Sequence, residues 1–67
     1  MQSSAFSDRD IIIYVLKEKE EERVGLVLWD DGRFIIYDVL EPSKHYNVDE
    51  IKKAYIIGVM AISFVEG

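Results

Sequence analysis

The chain has no cysteine, one proline (Pro42), one histidine (His45), one glutamine and one asparagine among its 67 residues. Each scarcity excludes something. Without cysteine there is no disulfide and no thiolate metal site, and a lone histidine cannot build an ordinary zinc centre. No metal or other cofactor is therefore expected. A chain this short buries a small share of its surface. With the usual staples missing, its stability has to come from close packing or from association with another chain.

Positive charge is also scarce: 8 Lys and Arg stand against 13 Asp and Glu, for a net charge of −5. Nucleic-acid binders are usually basic, because phosphate neutralisation supplies most of their affinity. The cations are scattered, and only Lys52-Lys53 are adjacent. Nor is there a membrane-length apolar run. The longest, AYIIGVMAISFV over residues 54–65, falls short of the roughly 20 residues of a spanning helix. The opening MQSSAFSDRD has neither the basic start nor the apolar stretch of a secretory signal. It reads as a flexible arm, residues 1–10, ahead of a single small domain over residues 11–67. A soluble, cytoplasmic protein is expected, with no membrane partner. Few amides and frequent Glu, Lys and Ile give the composition a thermophile-like cast.

What is present is apolar and β-forming. Hydrophobic residues make up 49% of the chain, more than one small core readily hides. IIIYVLK, residues 11–17, reads as a strand, followed by the charged loop KEKEEER. VGLVLW and FIIYDVL flank Asp31-Gly32, which suits a two-residue type I′ turn with positive φ at both central residues. Glu41-Pro42-Ser43 should end the third strand, since proline cannot donate to a ladder. NVDE, residues 47–50, has the form of a capping box, so a short helix is expected from about Val48. Residues 55–65, rich in Ile, Val and aromatics, are then expected as a strand. The fold class is thus small and β-rich: an antiparallel three-stranded meander, a short helix and a C-terminal strand. A partly closed small barrel of the SH3-like kind is one instance of it. The alternative is βββα, with one long C-terminal helix to about Val65.

The Asp31-Gly32 turn sets a register and so two faces. Leu28–Ile35, Leu26–Tyr37 and Val24–Val39 share the first face. Trp29–Phe34, Val27–Ile36 and Gly25–Asp38 share the second. An even loop after strand one adds Ile13 and Val15 to the first and Ile12, Tyr14 and Leu16 to the second. The aliphatic first face is expected to be the core, packed against the C-terminal segment. The second face, with Tyr14, Trp29 and Phe34 beside Arg33, is then an aromatic surface too large to leave bare.

No catalytic constellation is legible. Ser43, His45 and Asp49 are neighbours in sequence without the signature of a nucleophile elbow. Asp30, Asp31 and Asp38 do not match a calcium loop, and the four glycines are too dispersed for a phosphate cradle. The expected function is accordingly non-enzymatic: a protein–protein interaction module that self-associates as a homodimer, through the aromatic face or the edge of a terminal strand. Two alternatives draw on the same residues. One is single-stranded nucleic-acid binding by Tyr14, Trp29 and Phe34 with Arg33, Lys52 and Lys53. The other is charge mimicry toward a basic protein by Glu20, Glu21, Glu22, Asp30 and Asp31, joined by Asp38 and Glu41.

Overall fold

The computed structural model describes residues 6–61; residues 1–5 of the expected arm and residues 62–65 of the expected last strand lie outside them. Five strands form one antiparallel sheet: β1 (Asp10–Leu16), β2 (Arg23–Asp30), β3 (Arg33–Asp38), β4 (His45–Asn47) and β5 (Ile51–Val59). Their spatial order is β4-β3-β2-β1-β5. The small β-rich architecture is as the sequence predicts.

The β2–β3 hairpin follows the turn chemistry. Asp31 and Gly32 both have positive φ, 49° and 92°, and the pairs run Trp29–Phe34, Leu28–Ile35, Val27–Ile36, Leu26–Tyr37 and Gly25–Asp38. β1 joins in the even register, with Ile12 opposite Gly25 and Ile13 opposite Val24. β3 stops at Asp38, earlier than Pro42 alone would require. The Asp38 carboxylate accepts from the backbone amides of Leu40 and Glu41, both at 2.9 Å, and these local bonds replace the ladder. Val39 still donates to the carbonyl of Val24.

The helix expected from Val48 is a single 3-10 turn, Val48–Glu50, and the long-helix alternative is not supported. The Glu50 carboxylate accepts from the amide of Asn47 at 3.0 Å. From Ile51 onward, β-branched and aromatic side chains favour extended backbone, and pairing with β1 satisfies their amides. The strand therefore begins at Ile51 rather than Tyr55.

That short turn has a large consequence. It joins β4 at one edge of the sheet to β5 at the other with three residues between them. A flat five-stranded sheet would separate its edges by roughly 19 Å, more than a turn of 3-10 helix covers. The sheet must therefore curl. Tyr14 of β1 and Tyr46 of β4 come within 5.9 Å, ring centroid to centroid, and Lys17 donates to the carbonyl of Glu50. No ladder joins β4 to β5, so the partial closure anticipated for a small barrel stops at this curl.

The curl decides which face is the core, and it is the second. Ile12, Tyr14, Val27 and Ile36 are fully buried there, with Phe6, Leu16, Phe34, Tyr46, Ile51 and Ala54 packed against them. Of the C-terminal segment expected to pack on the first face, the described strand β5 lies beside β1 at the edge of the sheet instead, and Met60 lines a groove on that face. The described end of the expected arm is tied down as well. Arg9 donates to Val27, and Asp8 accepts from the amide of Trp29.

Candidate interaction surface

Four features stand out on this frame: a buried polar network, the hairpin tip, an apolar groove and the β5 edge. The network centres on Asp38, which is 1% exposed. Its Oδ2 accepts from the Tyr14 hydroxyl and from Arg23 Nε, each at 2.5 Å, and its Oδ1 from Arg23 Nη2 at 3.1 Å. With the Leu40 and Glu41 amides, this carboxylate is satisfied from three directions. Among the described residues no buried side-chain polar atom lacks a partner.

The Arg23 guanidinium, helped by the Tyr14 hydroxyl and the two amides and opposed by burial, holds Asp38 well below the usual carboxylate range. Burial, and then the bond to Asp38, pushes the Tyr14 phenol well above its ordinary value. Asp38 raises Arg23 in turn. The signs follow from linkage. The folded state favours ionised Asp38, so that contribution is complete above about pH 5 and is lost as pH falls below about 4. The folded state favours neutral Tyr14, so its contribution is complete below about pH 10 and is lost as pH rises beyond it. Urea midpoints should form a plateau between these limits. Asp38→Asn should flatten the acid limb, and Tyr14→Phe the alkaline one.

Asp38 was legible in retrospect as a lone acid in an apolar strand, opposite Gly25 on the aromatic face. It rests on structure more than on chemistry, since Tyr14 and Arg23 use up its oxygens.

Trp29 and Phe34 flank the turn in an edge-to-face pair, centroids 4.8 Å apart and planes at 72°. Trp29 is 54% exposed and Phe34 half-buried, while Arg33 is exposed and pairs with Asp30, so strand alternation turns it to the other face. Tyr14 does not join them at the surface, because it is enclosed in the core. The aromatic face imagined from the sequence is thus divided into a buried part and an exposed hairpin tip. The acidic residues do not converge either. Glu20, Glu21 and Glu22 precede β2, Asp30 ends it and Asp31 follows it, so roughly 24 Å of strand separates the two groups. Glu21 also pairs with Arg23 at 3.2 Å. His45 lies on β4 with its ring 5.6 Å from that of Tyr37. Among the described residues no three His, Cys, Asp or Glu side chains are grouped to hold a metal ion.

The first face, meanwhile, is half-open. Ile11, Val24, Leu26, Tyr37, Val39 and Met60 line a groove of about 380 Å³. The larger apolar exposure is on β5, where Tyr55 is 54%, Ile56 49%, Ile57 55% and Val59 63% exposed. β5 pairs with β1 along one side, and among the described residues its other side faces no strand. These four residues were visible in the sequence as part of the longest apolar run. Their position at an open edge was not.

Among the described residues no helix is long and apolar enough to cross a membrane. Comparison of the chain with protein-family models, with curated proteins and with solved structures found no match.

Proposed function

We propose that this chain is a non-enzymatic protein-interaction module that self-associates as a homodimer through its exposed strand edge. The observation that carries this reading is β5, a nine-residue strand with an unpaired side and four large, exposed apolar residues. A long apolar edge offers both backbone hydrogen bonds and hydrophobic area to another strand. Proteins that remain monomeric usually blunt such an edge with charge, proline or shortness; β5 carries charge at Lys52 and Lys53, and its remaining stretch from Ala54 to Val59 has none. Burial of Tyr14 favours the edge over the aromatic face as the contact surface.

Light scattering on a sizing column at micromolar concentrations should give a mass of twice 7.8 kDa. Replacing exposed Ile57 with lysine should weaken association by about tenfold or more, since a buried lysine at the contact lacks a partner. The same change should leave the urea midpoint of the monomer within about 0.5 kcal/mol of its original stability. A chain that stays monomeric at about 100 μM, where a dimer of even modest affinity would form, would contradict the proposal.

A further inference from the structure

We infer that the partner is a second copy paired antiparallel along β5, about a two-fold axis near Ile56, so that two five-stranded sheets become one. This rests on the self-association proposed above and specifies its geometry.

The sheet has two edges, and they are unequal. β4 is three residues long and follows Pro42 by two residues. A strand so short offers few ladder bonds, which is how natural edges are protected. β5 runs nine residues. Its two bulges, where Lys52 and Ile57 have no β1 counterpart, leave Lys53–Ile56 in regular register. A symmetric contact is strongest where the strand is regular and apolar, and that places its centre at Ile56, the apolar end of the regular stretch.

Charge selects the direction. Lys52 and Lys53 are the charged residues of β5, and no acid accompanies them. In a parallel pair the four lysines would stand side by side, which is destabilising. In an antiparallel pair centred on Ile56, Lys53 falls opposite the partner's Val59. That end of the partner lies beside Asp8–Asp10, because Val59 pairs with Asp10 and Met60 donates to the carbonyl of Arg9. Asp8, Arg9 and Asp10 sum to −1, so the lysine end meets an end of opposite sign. A two-fold contact of this kind is also closed: each β5 edge satisfies the other, and the edges that remain are the short β4 strands, which offer few ladder bonds to propagate a fibre.

The absence of cysteine makes the test clean. Single variants Tyr55→Cys, Ile56→Cys and Ile57→Cys, with Leu26→Cys in the groove and Arg33→Cys at the hairpin tip, are oxidised under dilute conditions alongside sizing of the untouched protein. Opposed residues of an antiparallel pair lie within disulfide reach. One of the three β5 variants should therefore crosslink about tenfold faster than Arg33→Cys, because the paired thiols share a high effective concentration. A dimeric mass with fast crosslinking at Leu26→Cys or Arg33→Cys, and none on β5, would overturn the edge geometry while leaving self-association standing. A monomeric mass with no preferred crosslink would overturn both.

Discussion

Replacing Asp38 with alanine is expected to unfold the domain at neutral pH. The substitution removes the acceptor for the Tyr14 hydroxyl, for two nitrogens of Arg23 and for the Leu40 and Glu41 amides. Tyr14 sits at zero exposure, so water cannot take over without opening the core. Removing one partner of a buried charged network costs about 3–5 kcal/mol. A domain of this length has about 3–10 kcal/mol in total. Circular dichroism and a urea titration would read the result. Asp38→Asn keeps the shape and some acceptor capacity, so it should fold with an intermediate loss. If Asp38→Ala kept its midpoint within about 0.5 kcal/mol, the range of an ordinary surface change, the network would not be a determinant of stability.

The second large effect is expected at Gly25. A Cβ there would lie 2.8 Å from Ile36 Cγ2 and 2.9 Å from two ring carbons of Tyr14. Gly25 is the one position on β2 where the Tyr14 ring can lie against bare backbone, and the ring has little room to retreat. Its hydroxyl is fixed to Asp38 and its other side faces Tyr46. Gly25→Val should therefore cost about 3 kcal/mol through overpacking, despite the higher strand propensity of valine. Gly58→Ala is the control. No atom lies within 4 Å of a Cβ built at Gly58, so its midpoint should move by less than about 0.5 kcal/mol. Equal effects at the two glycines would mean that strand propensity, and not the close approach of Tyr14, governs both.

The two sites are coupled. Gly25 pairs with Asp38 and, on its other side, with Ile12, so the missing side chain and the buried carboxylate lie across one rung of the sheet. The glycine admits the Tyr14 ring, and the ring delivers its hydroxyl to the acid. Combining mutations at the two positions should therefore give less than the sum of their separate effects, as expected for residues sharing one network.

Local chemistry made much of this legible in advance. Positive φ at Asp31 and Gly32 fixes the register of β2 and β3, and that register fixes which side chains share a face. β-branched and aromatic composition is enough to make residues 55–59 a strand, because it is a property of neighbouring residues alone, whereas residues 51–54, expected as helix, became strand by pairing with β1. The want of cysteine and of basic charge limits what the chain can bind without reference to any coordinates.

Tertiary structure decided the rest. Both faces of the meander are apolar, and composition cannot say which one a sheet will curl around. The three-residue link between its outer strands forces that curl, and the space at Gly25 lets it enclose Tyr14 and Ile36 instead of Leu26 and Leu28. The same closure turned Tyr14 from a surface candidate into core and gave Asp38 its partners from strands 15 and 24 residues away. It also left β5 on the outside. Whether a strand is central or at an edge depends on which strands pair, and pairing is a long-range property that the residues of β5 do not carry by themselves.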